Sequence, residues 1–241
     1  MATSKIGLQE QKIVSHDEWI AARKEYLIKE KEFSRQRDEL SRLRRELPME
    51  KVEKAYVFDG PNGNETLADL FDGRGQLVVY HFMLGPGWKE GCPSCSLLAD
   101  HFDGSTIHLA QRDVTFAVVS RAPLAEIEAF QKRMGWKFKW VSSFGSDFNF
   151  DFQASATPGA LGKSYYNYGD VNFPSEERPG ASVFYKDASG DVFHTYSTYA
   201  RGLDILIGAY NVLDLTPRGR HEEGLKHRMA WVRHHDRYEL S

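Results

Sequence analysis

Cysteine is nearly missing from this chain, with two residues among 241, and so small a complement excludes a disulfide framework. Long apolar runs are missing too. No stretch is long enough to span a bilayer, and residues 1–14 lack the apolar core of a signal peptide, which points to a cytoplasmic protein with no membrane partner. Charge of one sign is scarce: the formal net charge is -3, with acidic and basic residues interspersed, so there is no basic field to attract nucleic acid. Internal repeats and low-complexity segments are absent. What is present, 41% hydrophobic and 13% aromatic residues, suffices to bury the core of a globular α/β protein, as one large domain or two small ones.

The chain opens with a helix signature. Ser15 and Glu18 have the spacing of a capping box, no Gly or Pro follows until Pro48, and Trp19, Tyr26, Phe33, Leu40 and Leu47 recur every seven residues. This predicts a long helix with one narrow apolar stripe, which must lie against something. An arm packed on its own domain and an arm that forms a homodimer both satisfy that need. Beyond Pro48 the pattern changes to short strands: residues 52–58, a dense turn at 59–63, one helical turn at 66–71, and a nearly unbroken apolar run at 76–84. That run reads as a strand buried on both faces. A helix is expected over 93–111, a strand over 113–120, a helix over 124–134 opened by Pro123 and closed by Gly135, and a short strand over 138–141. Residues 142–179 are aromatic, Gly-rich and without periodicity, as an insertion would be. A β-hairpin follows at 181–186 and 192–196, then a helix at 203–213 and a tail rich in Arg and His. The divisions expected are a helical arm at 1–48, a domain at 49–216 containing the insertion, and an extension at 217–241.

The two cysteines stand together in Gly91-Cys92-Pro93-Ser94-Cys95, between the strand at 76–84 and the helix that Pro93 can open at its first position. Thiol–disulfide exchange proceeds through the thiolate, and the unpaired N–H groups and dipole of a helix start favour that charge at Cys92. Cys95, one turn on and expected to be the more buried, is placed to attack a mixed disulfide. Cys92 is therefore the expected attacking thiolate and Cys95 the resolving thiol, with no bound cofactor. Trp88 and Pro93 would form part of a flat, partly apolar lip for a partner disulfide or dithiol, on a protein or a small molecule. Inert buried cysteines are the bland alternative. Zinc needs four ligands, there is no second CxxC, and His81 and His101 are the nearest additions, so no metal is expected. His81 is either a buried core histidine or a proton relay for Cys95. His221, His227, His234 and His235 are irregularly spaced and read as surface residues.

The order of strand, CxxC, helix, strand, helix and late hairpin resembles the thioredoxin-like fold, a central mixed sheet flanked by helices. Tyr80-His81-Phe82-Met83, Gly91-Cys92-Pro93-Ser94-Cys95, Val119-Ser120-Arg121-Ala122-Pro123, Gly135-Trp136, the run from Ser143 to Asn149 and the run from Tyr196 to Gly202 are similar to the bacterial DUF899 family, over nearly the whole chain. That family is regarded as thioredoxin-like, with predicted dithiol–disulfide oxidoreductase activity. The resemblance also implies a role for Pro179 at the substrate site, where thioredoxins place a cis-proline; a turn proline beside Gly180 is the plain alternative. The Pro-Ser dipeptide departs from the Gly-Pro of thioredoxins. The PxxxTxxC motif of peroxiredoxins is absent, since Pro86 lies six residues before Cys92, which weakens a thiol peroxidase as the alternative. A binding or assembly module without redox activity is a third expectation.

Overall fold

The structure is a computed structural model and describes residues 11–157, 159 and 164–239. The first helix, α1 (His16–Arg44), begins at the expected capping box: the Ser15 hydroxyl accepts from the Glu18 N–H at 3.4 Å, and the Glu18 carboxylate accepts from the Ser15 N–H at 3.0 Å. None of its residues is buried. Trp19, Tyr26, Phe33 and Leu40 are each more than half exposed, so the stripe is not packed on the rest of the protomer, contrary to the first of the two expectations for the arm. Near the root of the helix, the Arg44 guanidinium lies 4.8 Å from the centre of the Tyr196 ring.

The body is built on an eight-stranded mixed sheet. Its strands are β1 (Glu50–Lys51), β2 (Val57–Gly60), β3 (Gly63–Thr66), β4 (Gln76–His81), β5 (Val114–Ser120), β6 (Lys139–Ser142), β9 (Gly180–Lys186) and β10 (Val192–Tyr199), in the order β1-β10-β9-β4-β5-β6-β2-β3. A separate small hairpin pairs β7 (Ser164–Tyr166) with β8 (Gly169–Val171). β4 lies at the centre, parallel to β5 and antiparallel to β9, and β5 is parallel to β6. Helices α2 (Pro93–Ala99) and α3 (Thr106–Ala110) connect β4 to β5, and α4 (Leu124–Met134) connects β5 to β6. This is the thioredoxin-like arrangement that the motif order implied, with a C-terminal segment beyond the last helix, α6 (Gly208–Leu213).

Alternation along β4 assigns its side chains to opposite faces. Tyr80, and Phe82 just beyond the strand, join the core cluster that contains Cys95, Leu98, Phe130 and Trp140. Leu77 and Val79 join the other cluster, with Phe58, Phe148 and Phe184. Phe148 belongs to α5 (Phe148–Asp151), so the first part of the aromatic stretch plugs the lower face of the sheet instead of looping free.

Two expected helices are interrupted, both for tertiary reasons. The single helix expected over 93–111 breaks between Ala99 and Thr106 because its polar residues are recruited elsewhere. The Asp103 carboxylate accepts the N–H groups of Lys137 and Phe138 at 2.9–3.0 Å, and Asp100 accepts the Trp136 indole N–H at 2.8 Å. The helix expected over 203–213 is a 3-10 segment, Ala200–Leu206, followed by α6. At its start the Ala209 N–H donates to His101 Nε2 at 3.2 Å.

Candidate functional site

β4 carries the chain to the centre of the sheet edge, and a tight loop then reverses it into α2. Cys92 caps α2, its N–H donating to the Met83 carbonyl at 3.1 Å and its carbonyl accepting from the Ser96 N–H at 3.0 Å. Gly91 is required here: a methyl group in its place would overlap the rings of Phe82 and Phe130. Pro93 occupies the first helical position, as expected, but is exposed. Cys92 is half-buried, Cys95 is buried, and both are free thiols.

The two sulfurs differ sharply in acidity. The thiol of Cys95 hydrogen-bonds to Cys92, and with further bonds from the backbone N–H groups of Cys95 and Ser94 it lowers the Cys92 pKa to about 7, against the opposing effect of burial. Burial pushes the Cys95 thiol well up, and the neighbouring Cys92 adds to the shift. The Tyr80 hydroxyl and the Met83 N–H moderate it through hydrogen bonds to the Cys95 sulfur. Tyr80 is itself buried, which holds its phenol protonated. One partner is thus poised to be an anion, the other to keep its proton, the asymmetry a stepwise exchange requires.

Both cysteines line a cavity of about 730 Å3 whose walls are mostly apolar, with Tyr80, Met83, Leu98, Phe173, Leu203, Ile207 and Met229 among them. Pro179 stands in this wall, and its carbonyl accepts the Tyr166 hydroxyl at 2.7 Å. The described residues contain no cis peptide bond, so Pro179 is trans and the cis-proline expectation does not hold. Trp88 packs against the core beside the loop and is not among the residues around the cavity. The open lip expected from the sequence is therefore an apolar pocket walled by segments remote in the chain.

His81 is not at the cysteines. As β4 alternates, its ring points to the opposite face from Tyr80, stacking on Phe148 and Phe152 at centroid distances of 5.5 and 6.2 Å. Burial lowers its pKa to about 3. It is the core histidine of the two expectations and not a relay for Cys95. Its Nε2 shares a hydrogen bond of 2.9 Å with Ser182, which continues through Ser197 to His194 in steps of 2.8 and 2.7 Å.

Sequence reasoning missed several contributors. Tyr80 was visible as a strand residue, but nothing marked it as the neighbour of Cys95. His234, expected on the surface, is 2% exposed and bonds the Gly91 carbonyl through Nε2 at 2.8 Å. His235 bonds Asp100 at 2.7 Å. The tail is fastened over the cysteine loop by ion pairs as well: Arg133 joins Glu90 and Asp236, at 2.9 and 2.8 Å, and Arg237 joins Glu90 at 2.7 Å. On the other flank of the loop, Glu177, 1% exposed, accepts from Arg121 at 2.7 Å and from Ser155 at 2.8 Å. Irregular spacing hid all of these. Among the described residues no three His, Cys, Asp or Glu side chains converge as a metal ion would need, and no helix is long and apolar enough to cross a membrane.

A family profile described as "Bacterial protein of unknown function (DUF899)" matches residues 8–238. No curated protein matches the chain. Solved structures similar to it include a cysteine mutant of PrxQ from Xylella fastidiosa, at 12% identity and a TM-score of 0.44, covering 68% of this chain and 94% of that one. A cysteine mutant of peroxiredoxin Q from Xanthomonas campestris is similar at 14% identity and a TM-score of 0.46, covering 69% and 98%. Peroxidoxin BcpB from Mycobacterium tuberculosis is similar at 13% identity and a TM-score of 0.40, covering 69% and 97%.

Proposed function

The chain belongs to the DUF899 family of bacterial proteins, and from that premise and the geometry of its cysteine pair we propose that it is a dithiol–disulfide oxidoreductase. The observation that carries the proposal is the placement of a half-buried Cys92 and a buried Cys95, both free thiols, on the wall of one apolar cavity, with the Cys95 thiol hydrogen-bonded to Cys92.

The Cys92 thiolate attacks a substrate disulfide, forming a mixed disulfide and releasing one substrate sulfur as thiolate, which takes a proton from solvent. Cys95 then gives up its proton and attacks the Cys92 sulfur. The second substrate sulfur leaves and accepts that proton, and the protein holds a Cys92–Cys95 disulfide. Two electrons pass from the protein dithiol to the substrate, and every step runs in reverse when the potentials favour it. Tyr80 stabilises the Cys95 thiolate as it forms.

The test is a single-turnover exchange with a simple disulfide. Cys92→Ser abolishes it, while Cys95→Ser accumulates a mixed disulfide on Cys92, visible by mass spectrometry. Equal rates in Cys92→Ser and wild-type protein would end the proposal. The uncovered stripe of α1 favours a second role, assembly of two copies through that helix. It is separable from the first, because Cys92→Ser leaves the oligomeric state unchanged while Phe33→Glu dissociates the assembly.

A further inference from the structure

The cavity in front of the cysteines also restricts what can reach them, and we infer that its substrate is a small amphipathic disulfide with a hydrocarbon body and a carboxylate. The inference rests on the oxidoreductase function proposed above and adds the substrate class.

Three features carry it. The first is concavity. Cys92 stands in the wall of a hollow of about 730 Å3, within the range of small-molecule sites, and not on the flat face that a protein disulfide would dock against. The second is a built far wall. Residues 226–229 of the tail line the cavity, and Met229 among them is held by Glu222, a single oxygen of which accepts the Tyr210 hydroxyl, the Trp231 indole N–H and the Met229 N–H at 2.7, 2.8 and 3.0 Å. A wall fastened by three donors to one carboxylate oxygen is part of the fold and not a loose segment lying over the site.

The third feature is the distribution of polarity. The depth of the cavity offers a ligand hydrocarbon contacts from Leu98, Leu203 and Ile207, so a polar or doubly charged disulfide would lose hydration there without compensation. Charge is confined to the rim, where Asp204, Lys226 and Arg228 stand. Asp204 is already taken: Arg220 pairs with it at 2.8 Å, and Arg201 and Arg228 lie 3.6 Å away. Lys226 is exposed and forms no ion pair among the described residues. The rim is therefore net positive, with one cation uncommitted. An anionic head at the rim with an apolar chain reaching inward to a disulfide matches this order of surfaces.

Two measurements test the inference separately from the function. Octanoate has the tail and the carboxylate but no sulfur, so its protection of Cys92 against iodoacetamide reads binding alone. Octanoate is expected to slow alkylation saturably, octylamine is not, and Lys226→Gln combined with Arg228→Gln is expected to weaken octanoate roughly tenfold, since each exposed ion pair is worth up to about fivefold. The effect should shrink at high salt. In single-turnover exchange, run from the reduced protein with lipoate and from the oxidised protein with dihydrolipoate, the carboxylate form is expected to outpace both the neutral amide, lipoamide, and the cationic disulfide cystamine. No protection by octanoate, or equal exchange of lipoate, lipoamide and cystamine, overturns the substrate class while leaving the oxidoreductase standing. Protection by octanoate with no Cys92-dependent exchange of any disulfide overturns the oxidoreductase, and with it the identification of the ligand as a disulfide.

Discussion

Replacing Cys95 by alanine tests the central electrostatic claim, because the Cys95 thiol is the largest cause of the lowered Cys92 pKa. A pKa of about 7 against an ordinary thiol near 8.5 corresponds to about 2 kcal/mol of thiolate stabilisation, and to about half of the protein as thiolate at pH 7 instead of about 3%. In Cys95→Ala the backbone N–H groups of Ser94 and of residue 95 remain as donors, while the thiol whose effect outweighs the burial penalty is gone. The pKa of Cys92 should then return to about 8.5 or above. Cys95→Ser keeps an O–H donor in the same place and should leave it near 7. The assay is the second-order rate of iodoacetamide alkylation as a function of pH. Its midpoint is the readout and not the rate at one pH, because a more basic thiolate is also a better nucleophile and hides part of the loss. A midpoint in Cys95→Ala that stays near 7 would show that the helix start alone acidifies Cys92, and a wild-type midpoint near 8.5 would refute the acidification itself.

Tyr80→Phe removes a hydrogen bond to Cys95, so decay of the mixed disulfide should slow about fivefold, the equivalent of one net hydrogen bond of about 1 kcal/mol. The Cys92 alkylation midpoint should not move, and quench-flow with mass detection distinguishes the two steps. His81 is held neutral in the fold, with a pKa of about 3, but titrates near 6.5 when unfolded. The unfolded chain therefore binds the extra proton between those values, and stability is lost as pH falls: between pH 7 and pH 5 this one group costs about 2 kcal/mol. Urea midpoints at the two pH values check this, and a His81→Phe variant with an equally steep pH dependence would refute the assignment. Gly91→Ala forces a methyl into the rings of Phe82 and Phe130 and should cost about 1–3 kcal/mol as an overpacked site, read as a lowered Tm. An unchanged Tm would mean that the loop relaxes freely.

Local signals were legible wherever their physics is local. The capping box at Ser15 and Glu18, Gly135 closing α4, the hairpin of β9 and β10 and the CxxC at the start of α2 each depend on residues within a few positions of one another. The two interrupted helices were not legible, because Asp100, Asp103 and His101 are good enough helix residues until a remote partner claims them. His81 illustrates the same limit at the site. The sequence left it as either a core histidine or a relay for Cys95, because one step along a strand changes the face of the sheet, and only the hydrophobic packing of β4 says which face holds which residue.

From the sequence alone came a mixed α/β chain with a CxxC at a helix start and a long striped helix, since spacing and propensity encode those. Tertiary structure alone decided that Tyr80 and not His81 attends Cys95, that Pro179 is trans, that the tail bolts the loop through His234, and that the sulfurs face an apolar cavity with a basic rim. The fastening of the loop by the tail joins residues more than a hundred positions apart, Gly91 and His234. Contacts of that kind arise from how the faces of the sheet are covered, which no local pattern of residues records.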